Sequence, residues 1–367
     1  MKTKLKKLLS PYTLGSIELK NRVVMAPMTR SRAVDNLPND LMVDYYSQRS
    51  GAGLIITEGT SPSANGLGYP RIPGLYSFEQ IAGWKKITDA VHADGGKIFL
   101  QIMHTGRVSH PLNLPSDAKV LAPSPIAAAN TEMYTDQEGM QSLPVPEAIA
   151  LQNIDETIQE YVHSAKSAIE AGFDGVELHG ANGYLLEQFL NPASNTRTDN
   201  YGGNIENRNR FLLEVSEAVA NAIGKEKVGI RLSPFGGFNE MISDDSTEFQ
   251  FISLAKSIKD IGLVYIHLVD HSSMGMPPVP QSIKEAIRTE FGSTLILSGG
   301  YDAERAEADL EANKGDLVAF GRPFISNPDL VAKLENEIPL SNPDYSTFYT
   351  PGEKGYTDYE ISENVSV

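Results

Sequence analysis

The chain has 367 residues, 47 Asp+Glu against 31 Lys+Arg, a formal net charge of −16 and no cysteine. That balance argues against a general binder of nucleic acid or anionic membrane, where attraction to phosphate dominates. The missing cysteines exclude disulfides, thiolate-ligated zinc, iron–sulfur clusters and thiol nucleophiles, and suit a cytoplasmic protein.

In chain order, the basic start Met1–Leu9 is cut off by Ser10-Pro11-Tyr12, so it reads as a solvated terminus and not as a signal peptide. No window reaches the roughly 18 consecutive apolar residues of a membrane span. Thr13–Lys20 alternates around Gly15-Ser16 and is expected as a hairpin, with residues 1–20 capping one end of the fold. Eight short apolar runs follow: Arg22–Ala26, Gly53–Thr57, Lys97–Ile102, Asp174–Leu178, Lys227–Leu232, Leu263–Val269, Thr294–Ser298 and Asp316–Phe320. Rich in Val and Ile, they read as strands buried on both faces. Helical periodicity fills the gaps at Phe78–Ala93, Asp155–Ala171, Arg208–Ile223, Glu248–Ile261, Gln281–Phe291 and Ala303–Ala312. Strands alternating with helices point to one α/β domain over 1–367, a (β/α)8 TIM barrel. An open doubly wound sheet with a second domain is the alternative. About seventy residues separate the third and fourth strands, far more than an ordinary loop. Residues 105–147, rich in proline, are therefore expected as an excursion that builds or lids the pocket. Residues 361–367 read as a frayed tail.

On a barrel, chemistry belongs at the C-terminal strand ends. Strand seven ends Ser298-Gly299-Gly300 and strand eight ends Gly321-Arg322. Glycines let backbone N–H groups approach phosphate oxygens and arginine adds a bidentate cation, so these turns read as a phosphate grip or as plain tight turns. The run from His179 to Tyr184 after strand four leaves three readings: a metal pair, a packed histidine, or two neutral donors, His179 and Asn182, aimed at one carbonyl oxygen. The third is preferred, because such donors stabilise a developing enolate; no further convergent ligands favour a metal. Tyr184 then suits a proton donor, a phenol of pKa near ~10. Gln101 presents both donor and acceptor to a heterocycle, and Arg231 stabilises negative charge on it. Neither has an obvious acidic neighbour in sequence. A phosphate grip, a ring-reading glutamine and a ring-facing arginine suggest flavin mononucleotide.

The run His179–Asn195, continuing to Gly203, is the most specific stretch, supported by Asn21–Arg30, His104–Arg107 and Phe320–Asp329. Together these motifs resemble the Old Yellow Enzyme family of flavin-dependent ene reductases, including N-ethylmaleimide reductases and 12-oxophytodienoate reductases. The resemblance implies non-covalent FMN, with Pro27, Met28 and Thr29 along the ring, Gly59 and Gln101 at its pyrimidine end and Arg231 by N1/O2. Gly300, Gly321 and Arg322 are implied at the phosphate. His179 and Asn182 match the pair that binds the substrate's activating oxygen, and Tyr184 matches the proton donor. Tyr356 is implied as a tyrosine leaning over the substrate, with Tyr69 lining the same mouth. Met103 falls where many members carry tryptophan near the substrate. The implied reaction is reduction of electron-poor alkenes (enones, maleimides, nitroalkenes) with NADPH as hydride donor, by a monomer or homodimer. The rivals are a flavin-binding redox sensor and a sugar-phosphate aldolase or isomerase on the same barrel, which would need a Schiff-base lysine or carboxylate base at a strand end.

Overall fold

The computed structural model describes residues 4–362, so residues 1–3 of the expected basic start and 363–367 of the expected tail lie outside the described residues. Eight parallel strands close into a barrel: β1 (Val23–Met25), β2 (Leu54–Ile56), β3 (Ile98–Ile102), β4 (Gly175–Gly180), β5 (Val228–Leu232), β6 (Tyr265–Val269), β7 (Thr294–Ser298) and β8 (Leu317–Phe320). Closure, with β8 paired to β1 through Phe320 and Met25, rules out the open sheet. The main crossover helices are α1 (Asp40–Ser47), α2 (Phe78–Ala93), α3 (Ile154–Glu170), α4 (Ile205–Ile223), α5 (Thr247–Ile261), α6 (Gln281–Phe291), α7 (Ala303–Glu311) and α8 (Leu330–Glu335). None of the described helices is long and apolar enough to cross a membrane.

Strand periodicity sorts the side chains into two layers. Ile98, Leu100 and Ile102 of β3, Val176 and Leu178 of β4, and Val228, Ile230 and Leu232 of β5 face the helices in one large core. Val24, Leu54, Phe99, Tyr265, Ile296 and Leu317 point inward and fill the lower barrel. A Cβ on Gly175 would run into the Phe99 ring, and one on Gly229 into the Tyr265 ring. The two glycines thus make room for two aromatic plugs. The hairpin Tyr12–Leu14 and Ile17–Leu19 contributes Leu14 and Leu19 to the same cluster. The Tyr12 hydroxyl lies 2.7 Å from Thr294 Oγ1 at the base of β7, so the hairpin plugs the N-terminal end.

The helices start where capping chemistry places them. Ser77 accepts the Gln80 N–H while the Gln80 side chain accepts the Ser77 N–H, a capping box at α2. Asn204 caps α4, whose first residue, Ile205, lies three before the expected start. The helix α1, absent from the sequence expectation, is capped by Asn39. Within the excursion, Glu132–Thr135 and Gly139–Ser142 form an antiparallel hairpin. Met133 and Leu143 pack with Leu67, Met103, Val108 and Tyr184 in a third cluster. The excursion is therefore a wall of the mouth, pinned at Asp136 by an ion pair to Arg71.

Candidate active site

The C-terminal strand ends form a continuous arc. Ser298 pairs with Ala319 across β7 and β8, so the Gly299-Gly300 and Gly321-Arg322 turns leave the barrel side by side. Gly299 and Gly300 adopt φ of +141° and +62°, conformations that glycine tolerates best. Gly321 caps the short helix Arg322–Ser326. Arg322 is exposed, its guanidinium 5.8 Å from the Tyr345 ring centroid. The Ala26 N–H bonds Phe320 O at 3.0 Å, and Met28 comes next to Gly321. The Arg30 N–H reaches Glu58 Oε2 at 3.2 Å, which brings the Pro27–Thr29 segment beside Gly59. A Cβ on Gly59 would collide with the Met103 thioether, so Met103 lies flat on that glycine.

Three interior-facing residues carry the arc onward. Gln101, His179 and Arg231 are all buried, and His179 stands opposite Arg231 in the β4–β5 register. The His179 Nδ1 accepts the Ala181 N–H at 3.3 Å, which fixes the tautomer with the proton on Nε2. Burial, reinforced by Arg231, holds the imidazole well below its usual pKa. His179 is therefore a neutral donor.

Asn182 has φ +61° and Gly183 φ +74°. Asparagine tolerates the left-handed region, and a Cβ on Gly183 would lie 2.7 Å from Phe238 O. The turn is held from below. The Asn182 N–H donates to Ser233 Oγ at 2.9 Å, Ser233 Oγ hydrogen-bonds the Glu187 carboxyl, 3.0 and 3.1 Å from its two oxygens, and the Gly183 N–H donates to Glu187 Oε2 at 2.6 Å. Asn239 Nδ2 donates to Asn182 O at 2.7 Å. The Asn182 side chain makes no hydrogen bond among the described residues, and its Oδ1 is buried. Every backbone group of the turn is tied down while the side-chain amide is left open.

Tyr184 packs edge-on to His179, ring centroids 4.8 Å apart, and donates its hydroxyl to Tyr69 at 3.0 Å. Burial drives its pKa well above the ordinary phenol value, so the proton is held at neutral pH. Tyr356 is not brought to this mouth. It is fully buried, stacked on Tyr45 at 4.1 Å between centroids and lying within 5.4 Å of the Arg30 and 4.9 Å of the Arg32 guanidinium. The expectation that it leans over substrate is corrected: Tyr349, 62% exposed, is the C-terminal tyrosine near enough to raise the pKa of both Tyr69 and Tyr184. Its carbonyl accepts a bond from Arg71 at 2.9 Å.

Gln101 and Arg231 do have an acidic neighbour. Glu177, inward-facing on β4, accepts from Gln101 Nε2 at 2.7 Å. Its partners lie on other strands, so nothing in the local sequence marks Glu177 as their neighbour. The arc as built offers backbone N–H groups and a cation at one end, an amide and a guanidinium at the other. The buried Arg231 Nε has no partner among the described residues. That donor set fits the phosphate and pyrimidine ring of FMN.

Residues 7–341 match the model of the NADH:flavin oxidoreductase / NADH oxidase family. The chain belongs to this family. Over 363 residues it is 42% identical to 12-oxophytodienoate reductase 1 of Oryza sativa subsp. japonica, covering 98% of this chain and 94% of that protein. It is equally 42% identical to a probable flavin mononucleotide-dependent alkene reductase of Leishmania infantum, over 96% of each chain. Morphinone reductase superposes with a TM-score of 0.94 at 44% identity, over 99% of this chain and 98% of that one, and has also been solved in complex with tetrahydroNAD. The Old Yellow Enzyme resemblance carried by the motifs thus extends over nearly the whole flavin oxidoreductase fold.

Proposed function

We propose that this chain is an FMN-dependent ene reductase that reduces the C=C bond of electron-poor alkenes. The observation that carries the reading is one short segment, 179–184, that presents a neutral imidazole donor, an uncommitted amide and a protonated buried phenol to a single mouth. FMN bound along the arc supplies the hydride. His179 and Asn182 hold the carbonyl or nitro oxygen and stabilise the negative charge that develops on it. Tyr184 gives its proton to the α-carbon after its hydroxyl turns from Tyr69 toward the substrate. Arg231 faces the ring and Arg322 takes the phosphate. Met103, Met133 and Leu143 exclude water from one side of the mouth. NADPH is proposed as the donor on the family resemblance, and the morphinone reductase complex makes NADH the comparison to run beside it.

The interior-facing positions of the eight strands carry no lysine, which weakens a Schiff-base enzyme. Acid treatment of purified protein should release FMN. NADPH should bleach the bound flavin without oxygen, and cyclohexenone should restore the colour. A colourless protein reconstituting with no flavin, or a reduced protein that cyclohexenone leaves bleached, would overturn the assignment.

A further inference from the structure

Beneath the mouth, side chains from β3 and β6 meet on one carboxylate of β4. Glu177 has no solvent exposure. Its Oε1 accepts from Gln101 Nε2 at 2.7 Å, and its Oε2 accepts from His267 Nδ1 at 2.8 Å and from the Tyr265 hydroxyl at 3.1 Å. Burial alone would raise its pKa, but His267, Arg231 and Gln101 together hold it below the ordinary carboxylate value. Burial keeps His267 neutral, so it serves as an N–H donor. This cluster therefore carries one negative charge, and the neighbouring charge of opposite sign is Arg231. No ion pair within 4.0 Å joins the two, and the Arg231 Nε is unpartnered. The arginine is balanced from behind and still free to bind in front.

Two consequences follow from the geometry. With one Nε2 hydrogen committed to Glu177, the Gln101 amide is held in one orientation, and its carbonyl oxygen and second N–H remain to be offered elsewhere. And a buried anion near a buried cation lowers the positive field the cation projects, because little solvent screens either one.

We propose that Glu177 is a positioning and tuning residue of the flavin site: it fixes the Gln101 amide with its oxygen toward the ring, and it sets the reduction potential of the bound flavin by offsetting Arg231. The proposal rests on the reading that FMN occupies this arc. Replacing Glu177 with glutamine removes the charge. It also lets the new amide face the Gln101 amide donor to donor, which favours turning Gln101 over.

The test measures FMN content, FMN dissociation constant and midpoint potential of wild type, Glu177→Gln and Glu177→Asp. Wild type without FMN would fail the site assignment itself, separately from this proposal. With FMN bound, Glu177→Gln should favour the reduced form at least tenfold at a fixed potential, a rise of ~30 mV for a two-electron couple, and should bind oxidised FMN at least tenfold more weakly. Glu177→Asp keeps the charge but withdraws it from Gln101, so its potential should stay within threefold of wild type on the same scale while FMN binding weakens. If Glu177→Gln does not fold, Glu177→Asp carries the test alone: unchanged FMN binding overturns the proposal. An unchanged potential in a folded, FMN-loaded Glu177→Gln protein overturns it outright, because a merely structural glutamate would move stability and leave the potential alone.

Discussion

Replacing Tyr184 by phenylalanine separates packing from proton donation, because the two effects differ in size. The ring stays in its cluster with Met103 and Met133; what disappears is one hydroxyl bond, 3.0 Å, to a neutral partner. A neutral hydrogen bond contributes ~1 kcal/mol. Unfolding entropy of ~2.1 cal/mol/K per residue over 367 residues makes that a Tm loss of about 1–2 °C. Removing a positioned general acid costs ~10²–10⁴ in rate, about 3–5 kcal/mol, and only in the step that needs the proton. Stopped-flow measurement should therefore show reduction of the enzyme by NADPH nearly untouched and reoxidation by cyclohexenone slowed by that factor. A nitroalkene should lose less, since its nitro group stabilises the carbanion. Tyr69→Phe leaves the Tyr184 proton in place and should slow reoxidation far less. Equal slowing of both half-reactions in Tyr184→Phe would rule out proton donation and make Tyr184 a residue that shapes the pocket.

The C-terminal segment is strapped on by Arg32, which donates to the carbonyls of Thr347, Phe348, Gly352 and Lys354 at 2.7–3.2 Å. Arg32→Met should cost about 3 kcal/mol, since bonds from a charged donor are worth ~1.5–3 kcal/mol each and do not add. It should lower Tm by several degrees and raise KM through Tyr349; a melt within a degree of wild type would show that the strap is held by other contacts. Burial pushes the Glu187 carboxyl up to about 8 and Glu58 up to about 7, from an ordinary 4.5. Each binds its proton more tightly folded than unfolded, so stability falls as pH rises through that window. Buried His104 and His271 are held down to about 3 and about 4 from 6.5, so their contribution is lost as pH falls below 6.5. Melts should therefore peak between pH 4.5 and 6.5, and Glu187→Gln should flatten the decline between neutrality and pH 8; an unaltered slope would mean that Glu187 is ionised in the fold.

The barrel was legible because its signal is local. Each strand is a run of Val, Ile and Leu buried on both faces, and the crossover helices carry a 3.6 period. The helix α1 escaped notice because Asp40–Ser47 is only eight residues long with a short apolar face; its one clear mark is Asn39 at the cap. The site was legible where it lies on a single segment, as from His179 to Tyr184. It failed where partners come from different strands. Glu177 and His179 follow the same inward alternation, but which residues of β3 and β6 stand beside Glu177 depends on barrel register, set by packing around the whole ring. Tyr349 and Tyr356 failed for a different reason. They sit seven residues apart on an irregular strap with no periodicity to say which ring turns inward, and the choice is made by Arg30, Arg32 and Tyr45 behind it.

The loop 181–184 is rigid in its main chain and unpartnered in the Asn182 side chain. A turn with two successive left-handed residues is strained unless its backbone groups are satisfied. Here Glu187, Ser233 and Asn239 satisfy them, and none of the three marks itself in the sequence as belonging to residue 182. Asn182 keeps its side-chain amide free of protein partners while its main chain is fully bonded. Fixing the donors in advance removes the reorganisation that a flexible asparagine would require as charge develops on the substrate oxygen. The buried carboxyl that does this fixing is itself pushed up to about 8 by burial, so it adds little negative charge beneath the substrate oxygen that the proposed reaction would make negative. An ionised carboxylate there would oppose the reaction it supports. In the proposed clamp, the environment that raises its pKa therefore supports the donors it holds in place.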